Sequence, residues 1–205
     1  MLTKIKICGL TRWEDAKFVA EQGADFLGFI HSDKSKRNAS LDSIQKLISQ
    51  VHSEYPSVST VCVVTTDDIS EIEMIISKTN CDYIQVHNDM NVAYFNRIQF
   101  QNKIKVFRVS NDTKISDIDQ YQSPYYLWDT HDKDHMGGTG KRFNWDLIPK
   151  KYLPRSFVAG GINDQNISNL IPKYQPFSVD ISSSVETEPG KKSKLKLQKL
   201  FQSIR

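Results

Sequence analysis

Tyr125-Tyr-Leu-Trp-Asp-Thr-His-Asp-Lys-Asp-His-Met-Gly-Gly-Thr-Gly-Lys-Arg-Phe-Asn-Trp145 begins as an aromatic, apolar run, Tyr125 to Trp128, that suits a β-strand. The run ends on a carboxylate, Asp129. After a polar segment come Gly137, Gly138, Thr139 and Gly140, and then Asn144 as a candidate helix cap before Trp145. Glycines packed this densely let a backbone approach an anion closely and aim amides at it. A carboxylate at a strand's end beside an amide-rich loop suits one phosphorylated substrate. The same residues also fit a plain strand, a capped turn and a solvated aspartate, because glycine loops are common.

Working outward, the same pattern recurs along the chain. Strands are predicted over residues 4–8, 25–30, 58–65, 82–87, 103–109, 125–129, 155–159 and 177–182. Helices are predicted over 13–22, 41–51, 68–78, 90–101, 115–121, 164–171 and 192–204. Thr11 is a candidate cap of the first helix, with Glu14 completing a capping box, and Ser40 caps the second. Alternating strands and helices with a repeat of about 25 residues argue for a parallel sheet. Eight units argue for a closed single-domain (β/α)8 TIM barrel spanning 1–205. An open doubly wound sheet is the alternative, but no Gly-x-Gly-x-x-Gly follows the first strand.

Composition narrows the function classes. The 205 residues, 39% of them hydrophobic, are enough for one sizeable core. No apolar run reaches the length of a membrane span, and the N-terminus passes straight into a strand pattern, so neither an anchor nor a signal peptide is expected. Three cysteines, Cys8, Cys62 and Cys81, are an odd number at wide spacing. They point to a reducing, cytoplasmic setting and to neither a disulfide framework nor a zinc site. A net charge of +3 does not call for nucleic acid. The lysines 191, 192, 194, 196 and 199 are read as the wet face of the last helix, opposite Leu197, Leu200, Phe201 and Ile204. With no obvious apolar surface segment, a monomer is expected.

In a barrel the chemistry sits where the strands end, and alternate residues face the axis. That parity turns Lys6 with Cys8, Gln85 with His87, Leu127 with Asp129, and Asp180 with Ser182 inward. Lys6 needs a buried partner, and Asp180 is the candidate. Cys8 and Asp129 then share one mouth, where a thiol and a carboxylic acid form a proton acceptor and donor. As a base, Cys8 must ionise, which calls for a pKa lowered by nearby positive charge such as Lys6. Cys8 equally fits a small buried apolar residue. His87 fits a ligand, a base or a hydrogen-bonded rim residue. Gly138, Thr139 and Gly140 after the sixth strand, Gly160 and Gly161 after the seventh, and Ser182 and Ser183 after the eighth form a candidate phosphate site.

These residues carry a resemblance. Lys6-Ile-Cys-Gly-Leu-Thr11, Lys34-Ser-Lys-Arg-Asn-Ala-Ser40, Ile84-Gln-Val-His87, Leu127-Trp-Asp-Thr130, Gly137-Gly-Thr-Gly140, Gly160-Gly-Ile162, Val179-Asp-Ile-Ser-Ser183 and Pro189-Gly-Lys-Lys192 resemble the phosphoribosylanthranilate isomerase family, in order and along the whole chain. The resemblance implies an Amadori rearrangement of N-(5-phosphoribosyl)anthranilate in tryptophan biosynthesis, without metal or organic cofactor. It implies Asp129 as general acid, Cys8 as general base and Arg37 beside the anthranilate ring and its carboxylate. Asn88, Ser184, Ser32 and Asp33 depart from the residues usual in the family. A histidine-pathway sugar-phosphate isomerase and a catalytically silent, metabolite-binding barrel are the rivals.

Overall fold

The eight predicted strands close on one another. A computed structural model, which describes residues 2–109, 118–130 and 144–204, gives β1 (Lys4–Cys8), α1 (Trp13–Glu21), β2 (Phe26–His31), α2 (Leu41–Glu54), β3 (Ser59–Val64), α3 (Ile69–Thr79), β4 (Tyr83–Val86), α4 (Val92–Arg97), β5 (Lys103–Val109), β6 (Tyr125–Thr130), β7 (Ser156–Val158), α5 (Ile167–Tyr174), β8 (Ser178–Ile181), β9 (Glu186–Glu188), β10 (Lys191–Lys192) and α6 (Lys194–Gln202). β1 to β8 form a closed parallel barrel in chain order, and β9 with β10 form a small antiparallel hairpin.

Strand parity creates two cores. Outward residues such as Ile7, Leu27, Phe29, Val64, Val86, Trp128 and Ile181 pack under the helices. Inward residues Cys8, Phe26, Val61, Val63, Ile104, Val106, Leu127, Phe157 and Ala159 pack with one another along the axis. At the N-terminal end of the barrel this inner core is aromatic. Phe26 meets Tyr83 at 5.4 Å and Phe157 at 5.2 Å between ring centroids, and Tyr125 meets Phe177 at 4.9 Å. The Lys4 ammonium lies 5.3 Å from the ring centroids of both Phe26 and Phe177. These rings seal the end opposite the predicted site.

Local chemistry explains where helices start and stop. Ser40 accepts from Ser43 N and caps α2, while Asp68 accepts from Ser70 N and caps α3. Thr11 does not cap α1. Its hydroxyl donates to Gly190 O at 2.7 Å, and Arg12 occupies the cap position with no side-chain capping bond, its guanidinium turned to Asp15 instead. The predicted helix over 90–101 shrinks to α4, because Ile98 turns extended and the carbonyls of Phe95 and Ile98 accept from the buried Lys103 ammonium instead. Residues 118–120 form a 3-10 turn where a helix was expected, and residues 115–117 lie outside the described residues.

The last predicted helix needs a larger correction. Residues 186–192 make the hairpin β9–β10, turned at Pro189-Gly190 with Gly190 at φ +85°, and α6 begins only at Lys194. Lys192 is therefore not on a wet helical face. It is buried, for reasons that belong to the site. Among the described residues, no helix is long and apolar enough to cross a membrane.

Removing the aromatic seal should be costly. Phe26→Ala deletes a ring that is 1% exposed and touches three others, and is expected to destabilise by about 3–5 kcal/mol. Urea unfolding measures it; a loss below 1 kcal/mol would mean that the surrounding rings repack freely.

Candidate active site

A cavity of about 370 Å³ opens at the C-terminal ends of the strands. Cys8 from the end of β1, Gln85 and His87 from β4 and the residue just past it, Asp129 from β6, and Asp180 and Ser182 from β8 and its end all line it. Arg37 reaches it from the loop between β2 and α2, and Gly160, Gly161 and Ser183 close it on the side of β7 and β8. The thiol and the carboxyl predicted to share a mouth do share one. Gly138, Thr139 and Gly140 lie outside the described residues.

Below the cavity, β1 and β8 pair with Lys6 opposite Asp180, and the Lys6 ammonium donates to Asp180 Oδ1 at 2.9 Å. Lys6 has no exposed surface. Burial works against its charge, but Asp180 and Cys8 more than offset this and hold its pKa above the ordinary lysine value. Gly28 sits beside Cys8 in the β1–β2 register, and a Cβ there would come within 2.8 Å of the sulfur, so glycine leaves the thiol its room. Burial pushes the Cys8 thiol up, while Lys6 and Lys192 pull it down. The net direction is upward, against the lowered value expected from the sequence. Charge proximity is readable from strand parity; the larger effect, loss of water around the sulfur, comes from packing.

Asp129 is also raised, to about 6, chiefly by burial, although its Oδ1 accepts from Thr130 N at 2.8 Å. His87 is pushed down to about 4 by burial and by the cations Arg108, Lys6 and Lys105. It is neutral at pH 7, with Nε2 3.7 Å from Asp129 Oδ2. Gln85 Nε2 stands 3.5 Å from His87 Nδ1, and the Gln85 amide oxygen has no partner among the described residues. Gly160 and Gly161 both have positive φ, +82° and +68°, and give a concave run of backbone beside the 3-10 turn Ser183–Val185. The departures are absorbed locally. Asn88 donates to Thr66 O and accepts from Met90 N, while Ser184 donates to Ile162 O. Among the described residues, no group of His, Cys, Asp or Glu has the arrangement of a metal site.

Comparison with known proteins gives this geometry its place. The family model described as N-(5'phosphoribosyl)anthranilate (PRA) isomerase matches residues 5–203. The chain belongs to this family. The N-(5'-phosphoribosyl)anthranilate isomerase of Aquifex aeolicus is 36% identical over 98% of this chain and 97% of its own length. That of Herminiimonas arsenicoxydans is 34% identical over 99% and 93%. The crystal structure of phosphoribosyl anthranilate isomerase from Thermotoga maritima superposes with a TM-score of 0.83 at 30% identity, covering 99% of this chain and 98% of that one. A further structure of phosphoribosyl anthranilate isomerase, in complex with reduced 1-(o-carboxyphenylamino)-1-deoxyribulose 5-phosphate, gives a TM-score of 0.81 at 29% identity over 99% of this chain and 98% of that one.

In this isomerase Glu186 and Lys192, whose segments carry part of the family resemblance, belong to the site although the sequence reading gave neither a role there. Glu186 accepts from Arg37 Nε at 2.9 Å and Nη2 at 2.6 Å. Lys192 donates to Glu186 Oε1 at 2.8 Å and to the backbone oxygens of Cys8 at 2.6 Å and Ser182 at 3.2 Å. Pro189-Gly190 between charged residues was the available signal, a turn marker that splits the segment into two short strands.

The Lys6–Asp180 pair can be tested by subtraction. Lys6→Met leaves a buried carboxylate unpaired and is expected to lower stability by about 3–5 kcal/mol, while adding Asp180→Leu recovers most of that loss. Chemical denaturation of both variants decides the matter: an unchanged midpoint in the single variant would sink the structural role of the pair.

Proposed function

We infer that this protein is a phosphoribosylanthranilate isomerase that converts N-(5-phosphoribosyl)anthranilate into 1-(o-carboxyphenylamino)-1-deoxyribulose 5-phosphate in tryptophan biosynthesis. The observation that carries the roles within the site is that Cys8 and Asp129 line one cavity, each from its own strand end, with different proton affinities.

In the proposed mechanism, the Asp129 carboxyl donates its proton to the furanose ring oxygen. The C1–O bond breaks while the anilino nitrogen lone pair forms the C1=N bond of a Schiff base. Cys8, as thiolate, removes the proton from C2. That electron pair becomes the C1=C2 bond, and the C=N electrons return to nitrogen. The enolamine then gains a proton at C1 and loses one from the C2 hydroxyl, which gives the ketone. The substrate's own nitrogen is the electron sink. A carboxyl with a pKa of about 6 is a competent donor near neutrality, and Lys6 stabilises the thiolate by direct charge. His87 stays neutral and orients Asp129, and Gln85 offers its amide oxygen to a sugar hydroxyl.

The substrate's phosphate is proposed to lie on the backbone of Gly160, Gly161, Ser182 and Ser183, together with Gly138, Thr139 and Gly140. Positive-φ glycines turn successive amides toward one point, which suits an anion. Arg37 is proposed to take the anthranilate carboxylate, because a guanidinium fork matches a carboxylate in geometry and charge. The protein is proposed to act as a monomer in the reducing cytoplasm. Its large exposed apolar side chains among the described residues, Leu2 before β1, Met74 on α3, Tyr94 on α4 and Leu195 on α6, are scattered along the chain, and its three cysteines are free and buried.

The roles fix a pH profile. The active form carries Asp129 protonated and Cys8 ionised, yet Asp129 has the lower pKa. Below about pH 6 the protonated fraction of Asp129 is already full and thiolate is lost as pH falls, so kcat/KM drops. Between that value and the raised thiol pKa the two fractions change in opposite senses and cancel, leaving a plateau. Above the thiol pKa the carboxylic acid keeps disappearing, and the rate drops again. Asp129→Asn removes the plateau, so that its residual rate climbs tenfold per pH unit toward the thiol pKa, after an overall loss of about 10²–10⁴-fold. The decay of substrate fluorescence across pH reads both; a flat profile in the wild type through pH 5 argues against Cys8 as base.

A further inference from the structure

Arg37 is held by a residue that does not line the cavity. Glu186 is buried behind it and takes the Nε edge of the guanidinium, with Nε to Oε1 at 2.9 Å, Nε to Oε2 at 3.1 Å and Nη2 to Oε2 at 2.6 Å. Among the described residues, the guanidinium's hydrogen bonds run through Nε and Nη2 and none through Nη1. Arginine has five N–H donors in a planar fork, so an acid bound along the Nε edge leaves the opposite, Nη1 edge free for a second carboxylate. The Arg37 stem crosses the end of β1, where a Cβ on Gly9 would fall 2.5 Å from Arg37 Cδ. Gly9, at φ +79°, is therefore a passage for this side chain.

Glu186 is itself fixed. Its Oε1 accepts from Lys192 Nζ at 2.8 Å and from Gly190 N at 3.3 Å. The hairpin that carries all three is tied down by Thr11 Oγ1 to Gly190 O, by Lys192 N to Asp15 Oδ2 at 3.0 Å, and by Lys196 Nζ to Glu186 O at 2.7 Å. The same Lys192 ammonium grips the carbonyl of Cys8. One buried cation thus references the position of Arg37 to the backbone of the proposed base.

We propose that Glu186, anchored by Lys192, is a positioning residue that sets the substrate specificity of this site: it aims Arg37 so that the isomerase selects N-glycosides whose aromatic ring bears an ortho carboxylate. This rests on the reading of Arg37 given above. Glu186 does not touch the ligand. Its effect is confined to the angle and order of a guanidinium that would otherwise sample several rotamers, so its removal weakens recognition of the carboxylate rather than the proton transfers.

The test compares two substrates made by condensing ribose 5-phosphate with anthranilate or with aniline, which lacks the carboxylate. The quantity read is the ratio of their kcat/KM values in the wild type, Arg37→Met, Glu186→Gln and Glu186→Asp. Glu186→Gln should lower the ratio about tenfold or more, mainly through a higher KM for the anthranilate compound, the scale of one charge-assisted hydrogen bond. Glu186→Asp keeps the buried charge but draws the fork back by one methylene, and should lower the ratio too, which covers the case in which the glutamine variant does not fold. If Arg37→Met loses the preference and the folded Glu186 variants keep it, the positioning role is overturned and the Arg37 reading stands. If Arg37→Met keeps the preference, the Arg37 reading falls and this inference falls with it. A lower KM for the anthranilate compound in Glu186→Gln would also overturn the proposal, because Glu186 would then be competing with substrate for Arg37.

Discussion

The site depends on closing β8 onto β1, and a buried ion pair lies across that seam. Backbone bonds in the seam hold strands, but Lys6 opposite Asp180 fixes what faces inward. A slip of one residue along β1 would carry Lys6 and Cys8 out under the helices and bring Ile5 and Ile7 into the lumen. A lysine carried under the helix layer would lose Asp180 and need other acceptors, of the kind the buried Lys103 finds in the carbonyls of Phe95 and Ile98. The pair is weak evidence for added stability, since two apolar residues of similar volume would serve as well or better. What it supplies is register, together with a fixed positive charge beneath the sulfur.

A second constraint stands above the first. The hairpin after β8 folds back across the ends of β1 and α1, and Lys192 donates to the carbonyls at the ends of β1 and β8. The Cys8 carbonyl also accepts from Ser182 Oγ at 3.0 Å, so the lysine adds a charged donor to backbone already tied across the seam. The two lysines clamp one seam, Lys6 within it and Lys192 over its end. Burial lowers the Lys192 pKa even with Glu186 beside it, whereas Lys6 is held above its ordinary value. Lys6 is favoured by both charge and hydrogen bonding from Asp180 and Cys8, whereas Lys192 is favoured by Glu186 and Cys8 but also meets the like charge of Arg37.

Much of this was legible in the sequence, and the failures have physical causes. Strand parity alone placed Lys6, Cys8, Gln85, Asp129 and Asp180 on the axis, because a period of two leaves no freedom once Ile5 and Ile7 are assigned to the shell. Element ends were less legible where a side chain from elsewhere supplied the stop. Lys103 terminates α4 from a strand that follows it, and Thr11 abandons α1 for a carbonyl that lies 179 residues later. The hairpin was hidden because its lysines look like those of a solvated helix face. The first two follow the Pro189-Gly190 turn and are separated from Lys194 only by Ser193, which caps α6. Arg37 was legible as a loop arginine near the site, but its acid was not, since nothing local to residue 37 points to residue 186.

Packing sets the proton affinities of the site. Burial raises the acid and the thiol alike, so the cavity does not choose between them by polarity. It leaves the carboxyl at about 6 and the thiol above its ordinary value, which is the reverse of the order that would populate the reactive form most fully. The consequence is favourable in another respect. A thiolate of high pKa is the stronger base and a carboxylic acid of lower pKa the stronger donor, so the sparsely populated form carries the greater reactivity per molecule. Positive charge from Lys6 then matters less for ionising Cys8 in the resting protein than for limiting how rare that form becomes. The desolvation that raises both groups also strengthens that charge's hold on the thiolate, so a dry cavity and a buried lysine act together as one device.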